Sequence, residues 1–423
     1  MTARTPYLRR PRASASPQPL TFAQVAKAYR FPTVRADGSP LTGAGQKVAI
    51  VELGGAYSPT DLAAFCRANG IPIPKVTATA VGGASIVSDP GGANVEVMLD
   101  VEAVAAVAPG AEILIFFGDN SDAGFLAAFK AAIQSGAIAV SCSWGGPASQ
   151  WDPATMRQYD ALFAQALAAG TIVCCAAGDA GMDDGTSSPV ADFPAASPHV
   201  LACGGTRLTV NRDGTRASET VWDDAANDAT GGGVSTLFPA PAWQTGTGTT
   251  MRAIPDVAGN ADPQSGFEIV ADGQSTTVGG TSGVAPIYAA LFALFGELGV
   301  SASVLAEFFA ILYGNTRALT DITAGGQGDV YPPSTGYDES TGLGVVIGTA
   351  LAAVLLGSTT PPPVTPPAPV PPPAPVPPAD DADVVLWRQV HTWAHEHHVG
   401  QTAAVAHALR TWAAVRGYHR AAA

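Results

Sequence analysis

The sequence predicts a three-layer α/β domain with a parallel central sheet, followed by a proline-rich linker and a small all-α segment. Three observations carry this. From Lys47 onward, short β-branched or apolar runs alternate with alanine-rich segments of helical pattern. The strand-like runs are continuously apolar, as strands are when helices cover both faces of a sheet. Thr359 to Pro378 reads TTPPPVTPPAPVPPPAPVPP, a stiff polyproline II spacer that cannot join a core and therefore separates two units.

The candidate strands, in order, are VAIVEL (Val48 to Leu53), ILIFFG (Ile113 to Gly118), AIAVSCSWG (Ala137 to Gly145), TIVCCAAG (Thr171 to Gly178) and VLACGG (Val200 to Gly205). Helical patterns lie between them at Ser58 to Asn69, Ala93 to Val107, Ala123 to Ser135 and Ala154 to Ala169, and Ile287 to Phe295 reads as a further buried helix. In such a domain functional residues gather at the carboxyl ends of the strands. The predicted organisation is an N-terminal extension over 1–18, the α/β domain over 19–358, the linker over 359–380 and a helical hairpin over 381–423. The hairpin places Trp387, Val390 and Ala394, then Val405, Leu409 and Trp412, at helical spacing around a break at Gly400. It is small enough to need a partner surface.

With 423 residues and 47% hydrophobic content the chain can bury a large core. A net charge of −14, with lysine only at Lys27, Lys47, Lys75 and Lys130, leaves no basic patch and argues against nucleic-acid partners. Of the five cysteines, four sit in apolar runs, so they read as core thiols with neither zinc spacing nor a disulfide framework. The N-terminal MTARTPYLRRPRASASPQPLTF has no apolar run after its arginines, unlike a signal peptide, and no run of 18 apolar residues predicts a membrane span.

The stretch GGTSGVAP, Gly279 to Pro286, sets a serine in front of the buried helix, a common way to present a nucleophile. A serine hydroxyl needs a general base within hydrogen-bond reach. Six of the seven histidines (His391, His395, His397, His398, His407, His419) lie beyond the proline tract, and only His199 precedes it. Carboxylates are the other bases to consider. In NVEVMLDVEAVAAVAPGA, Glu96 and Asp100 are four apart and share a helix face among Val, Met and Leu. Two acids there are costly unless they share a proton or serve a site. A solvated helix face is the competing reading, and Glu102, out of phase with Asp100, fits it. CCAAGDAG ends a strand at Asp179, either an active-site acid or the cap of a turn.

Gly280-Thr281-Ser282 before a helix containing Pro286, the strand end Ser143-Trp144-Gly145 and the Ala-Ala-Gly-Asp turn together resemble the subtilisin-like fold. With acids in place of the histidine, the chain resembles the sedolisin (serine-carboxyl) peptidases, closest to the kumamolisin subgroup. ELGGAY (Glu52 to Tyr57), DFPAASPHVLACGGTRL (Asp192 to Leu208), TGGGVS (Thr230 to Ser235), PDVAGNADP (Pro255 to Pro263) and STGYDESTGLG (Ser334 to Gly344) extend the resemblance over Pro19 to Leu356. It implies an acid-active endopeptidase for polypeptide substrates, with a monomeric catalytic domain, working outside the cell or in an acidic compartment. Ser282 is the implied nucleophile, Glu96 the general base, Asp100 the acid that orients Glu96 and shares its proton, and Asp179 the oxyanion-hole partner. Glu52 and Trp144 would extend the hydrogen-bond chain behind Asp100. Ser143, Gly145 and Gly146 would form the strand edge that binds an extended substrate.

The resemblance also implies one Ca2+ ion held by the carboxylates of Asp321 and Asp338 and the carbonyls of Ile322, Ser334 and Gly336, an oxygen set suited to a hard cation. The intervening loop, Thr323 to Pro333, is shortened and carries a competing acid, Asp329. Sedolisins carry a large prodomain, whereas this chain begins about 20 residues before TFAQVAKAYRFP, which resembles the start of the mature enzyme. In the tail, His391, His395 and His398 share a spacing that suits a metal, but HTWAH lacks a metalloprotease glutamate, and exposed histidines on an interaction or targeting module are the simpler expectation. Two other classes of function remain at this point: an idle peptidase fold whose helical tail binds a protein or surface partner, and a histidine-dependent hydrolase built on His199.

Overall fold

The structure is a computed structural model that describes residues 3–11, 18–224, 228–326 and 328–357. The linker, the helical hairpin, its histidines and its expected partner lie outside the described residues. Eight strands build the parallel core of the sheet: β1 Lys47–Glu52, β2 Val76–Ala80, β3 Glu112–Phe117, β4 Ala139–Cys142, β5 Ile172–Ala176, β6 Leu201–Val210, β7 Val257–Asn260 and β8 Val345–Val346. Their order across the sheet is β8-β7-β6-β5-β4-β1-β3-β2. Within this sheet, among the described residues, antiparallel strands are confined to Leu319–Thr320 beside β8 and Arg216–Val221 beside β6.

Five helices cover the sheet: α1 Pro59–Asn69, α2 Ala93–Val107, α3 Asp122–Gln134, α4 Pro153–Ala168 and α5 Val284–Glu297. The alternation of side chains along β1 separates the two layers. Val48 and Ile50 pack with Val97, Val101, Ile287 and Leu291 of α2 and α5. Ala49 and Val51 pack with Phe125, Phe129, Tyr159 and Phe163 of α3 and α4. Helix α1 has local signals at both ends: the Ser58 hydroxyl accepts from Asp61 N, Pro59 occupies the first turn, and Gly70 closes the helix at φ 66°.

Helix α2 is apolar almost all round because it is covered all round. The sheet lies under it, α5 beside it, and the hairpin Phe267–Ala271 with Gln274–Val278 over it. This corrects the expectation for Glu102. Instead of facing solvent it is fully buried, and its Oε2 accepts from Val270 N at 2.9 Å. Burial pushes its carboxyl up to about 9. A charge pattern on one helix cannot reveal a hairpin from a distant part of the chain. The five cysteines are free and buried.

Candidate active site

Parallel topology sends β1, β4 and β5 to the same edge, so the residues that follow them meet there. Glu52 ends β1, Ser143 and Trp144 follow β4, and Asp179 follows β5. Packing of α2 against α5 brings Glu96 and Asp100 to Ser282, which sits in the turn Thr281–Gly283 immediately before α5. The turn needs glycine at position 280: its φ is 112°, and a β-carbon there would collide with Asp179 Oδ2 and the carbonyl oxygen of Tyr7.

All of these acids are fully buried. Ser143 Oγ lies 2.9 and 3.0 Å from the two carboxyl oxygens of Asp100. Trp144 Nε1 donates to Glu52 Oε2 at 2.8 Å, leaving Glu52 Oε1 without a partner. Neither oxygen of Glu96 has a well-aligned partner, while the Ser282 hydroxyl lies close enough to temper its pKa. Burial first, then the charge of Asp100, holds the Glu96 carboxyl well above the usual range. Burial and the charge of Glu52 do the same to Asp100, and burial and Glu96 to Glu52. Burial and mutual repulsion both disfavour full ionisation of such a cluster, and the titration of each acid depends on its neighbour.

Asp179 Oδ1 accepts from Thr281 N at 2.7 Å and Thr281 Oγ1 at 2.8 Å, and its Oδ2 has no hydrogen-bond partner. Its pKa is raised by burial, against the pull of the Arg9 guanidinium 4.0 Å away. The carboxyl therefore holds a proton to higher pH than a free aspartate does, and Oδ2 is the oxygen with nothing to bond.

The strand edge after β4 is occupied by the chain itself. Thr5 and Pro6 pair antiparallel with Gly145 and Trp144. Tyr7 N donates to Ser143 O at 3.0 Å, and Ser282 N donates to Tyr7 O at 3.1 Å. Arg9 and Gly279 exchange backbone bonds of 2.8 and 2.7 Å. The Tyr7 ring is buried, with its hydroxyl donating to Asp192. Gly146 N lies 3.3 Å from the other oxygen of Asp192. Burial raises Asp192 well above the usual range and Asp184 to about 6, each adding to or answering the other's charge. Tyr7, Arg9, Asp184 and Asp192 went unmarked in the sequence reading. Of these, Asp192 lies in DFPAASPHVLACGGTRL, one of the stretches that carry the resemblance, and nothing in MTARTPYLRRP announces where Tyr7 and Arg9 lie.

His199 points elsewhere. Its Nδ1 lies 2.8 Å from Asp160 Oδ1 on α4, in the helix layer opposite α5, which leaves no role for it beside Ser282.

The expected Ca2+ site is overturned. Among the described residues no group of three or more His, Cys, Asp or Glu side chains could hold a metal ion. Asp338 Oδ1 accepts from Ser340 N at 3.0 Å and Thr341 N at 2.8 Å, and Oδ2 from Ser334 N at 3.0 Å. Asp321 Oδ2 accepts from Gly336 N at 2.8 Å. The carboxylates assigned to a cation thus cap the backbone N–H groups of Ser334, Gly336, Ser340 and Thr341, and the Ile322 carbonyl accepts from Thr341 Oγ1 at 3.5 Å. Asp329 brings no third carboxylate to them.

The model of the subtilase family matches residues 76–303. Kumamolisin of Bacillus sp. (strain MN-32) is 43% identical over 371 residues, covering 82% of this chain and 65% of that protein. The chain belongs to the subtilase family, in its sedolisin branch. Xanthomonalisin of Xanthomonas sp. (strain T-22) is 32% identical over 341 residues, covering 67% of this chain and 40% of that protein. The chain therefore spans less than two thirds of the length of these curated relatives. The solved Pseudomonas sedolisin, a serine-carboxyl proteinase complexed with two molecules of pseudo-iodotyrostatin, superposes with a TM-score of 0.72 at 27% identity, over 81% of this chain and 99% of that one. The subtilase fold is thus a three-layer one in which the sheet is parallel at its core and mixed at its edges. Among the described residues no helix is long and apolar enough to cross a membrane.

Proposed function

We propose that this chain is an acid-active serine-carboxyl endopeptidase that cuts polypeptides through an acyl-enzyme on Ser282. The observation that carries the reading is the placement of Ser282 at the start of α5 beside the buried acids Glu96 and Asp100, with no histidine near it among the described residues. Sedolisin membership supports protease chemistry and polypeptide substrates at the level of the family.

In this mechanism Glu96 takes the Ser282 proton as the hydroxyl attacks the substrate carbonyl, then returns it to the leaving amine. Asp100 accepts part of the shared proton and is held by Ser143. Glu52, fixed by Trp144, spreads the same proton network away from solvent. The developing oxyanion is met by Ser282 N–H and by Asp179, which donates only while protonated. Asp179 keeps its proton below its raised pKa and loses it as pH rises, so turnover fails towards alkaline pH. Work at acid pH fits a protein secreted or held in an acidic compartment. The test is hydrolysis of a denatured protein from about pH 2 to 8 with Ser282→Ala as control; activity equal to the control, or an optimum above neutrality, overturns the proposal.

A further inference from the structure

One buried asparagine ties together the segments that carry the acids and the serine. Asn94 stands in the first turn of α2, just ahead of Glu96 and Asp100, and is 7% exposed. Its Oδ1 accepts from Ala56 N and from Asp89 N, both at 2.9 Å. Its Nδ2 donates to Ser88 Oγ at 3.0 Å and to Asp272 Oδ1 at 2.8 Å. Both acceptor sites and both donors of the amide are therefore in use. Ala56 follows Glu52 out of β1, and Asp272 forms the tip of the hairpin that covers α2.

Asp272 completes the link. With Gly273 it makes the two-residue turn between the paired Ala271 and Gln274, both residues at positive φ, 52° and 72°. Its Oδ2 accepts from Gly91 N at 2.7 Å, immediately ahead of α2. Asp272 is exposed, so it contributes through these bonds and not through burial. From the tip, the strand Gln274–Val278 runs straight into Gly279 and the turn that holds Ser282. The first strand meets the same turn, for a β-carbon on Gly283 would run into the Phe267 ring. Gly92, the residue before α2, has no side chain to cap the helix, so the start of α2 is fixed from outside. Asp89 Oδ2 accepts from Ala93 N at 2.9 Å, and the Asn94 and Asp272 contacts do the rest.

Resting on the peptidase reading, we infer that Asn94 and Asp272 are positioning residues for the reaction: their pairing sets the start of α2 against the hairpin, and so sets the Glu96 carboxyl against the Ser282 hydroxyl. Neither residue acts on substrate; the effect reaches the chemistry through Glu96. Proton transfer between two side chains on different elements depends on their register, and a misplacement of about 1 Å can cost on the order of 10^2-fold. Farther along α2, Glu102 holds the same hairpin through Val270 N. Losing the Asp272 contact therefore frees the tip while the hairpin stays on the helix.

The test uses the full chain at acid pH and a quenched peptide copied from the site it cuts first in denatured casein. Denaturant midpoints are measured on every variant. Asp272→Gly keeps a residue suited to positive φ and removes only the carboxylate. In it kcat falls roughly tenfold, while KM stays within about twofold and the midpoint barely moves. Asn94→Asp sets two carboxylates against each other and lowers kcat at least as far. Combining Asn94→Asp with Asp272→Asn reverses the bond: the amide at 272 donates to the carboxylate at 94, which still accepts from Ala56 N and Asp89 N, and Gly91 N keeps an acceptor. That double variant recovers most of kcat. A kcat in Asp272→Gly within about twofold of the unaltered chain overturns the inference. So does a double variant no better than Asn94→Asp, or a loss of kcat that follows the midpoint. In Ser282→Ala, hydrogen exchange at the Gly91 amide is slow and becomes fast when Asp272→Gly is added; unchanged exchange overturns the pairing as the tie. Hydrolysis that Ser282→Ala abolishes upholds the peptidase reading whatever Asp272→Gly does, whereas absence of all hydrolysis removes that reading and this one with it.

Discussion

Glu96 in the first turn of α2 and Asp338 in the loop before β8 are both buried carboxyls, and they differ in what faces them. Asp338 is met by Ser334 N, Ser340 N, Thr341 N and the hydroxyls of Ser340 and Thr341. Glu96 is met by another acid, Asp100, and by the hydroxyl of Ser282. Donors compensate the one carboxyl, so it organises its loop. Their lack leaves the other prone to take a proton, which is what a group that moves protons requires.

The comparison breaks most sharply at the nucleophile. Ser282→Ala and Glu96→Gln are each expected to lower turnover of a denatured protein at acid pH by roughly 10^4-fold or more without unfolding the chain. Retained activity in either variant shows that the uncompensated acids are structural after all. Asp179→Asn sharpens the role of the proton. An amide donates at any pH, so kcat/KM falls by about 10^2-fold while the alkaline limb that Asp179 imposes disappears from the pH profile.

Glu102 tests the cost of burying an acid away from chemistry. Its folded-state pKa, about 9, lies above the unfolded value, so the contribution to stability is complete below about pH 4 and is lost as pH rises towards 9. Glu102→Gln, which keeps the acceptor for Val270 N, should raise stability by about 3 kcal/mol at neutral pH and change little near pH 3, read from denaturant midpoints. The smallest effect belongs to the compensated acid. Asp338→Ala orphans backbone donors of its loop and costs roughly 2 kcal/mol, without altering the shape of the activity profile with pH.

Much of the scaffold was legible in the sequence because it rests on local signals. The continuous apolar runs of β1, β3, β4, β5 and β6 and the pattern of α2 over Ala93–Val107 fall within a residue or two of expectation at most of their ends, though β6 runs on to Val210. Edge strand β2 and the short β7 and β8 were not read as strands. VTATA is polar enough to pass for a loop, and the other two are too short to have a period. Strand pairing, not composition, makes them strands.

By itself, the sequence determined which residue types were on hand for chemistry: a serine ahead of a buried helix, acids at a four-residue spacing, and six of the seven histidines set beyond a proline tract. Family resemblance added roles to those residues and a calcium ion that the loop geometry does not support. Only the tertiary structure decided which acids lose their solvent, because burial depends on what other parts of the chain lie over them. The hairpin over Glu102 and the N-terminal strand over Ser282 both come from more than 150 residues away, as the Glu102–Val270 contact spans 168 positions. No local pattern encodes a contact of that separation, and the protonation of every acid in the site depends on such contacts.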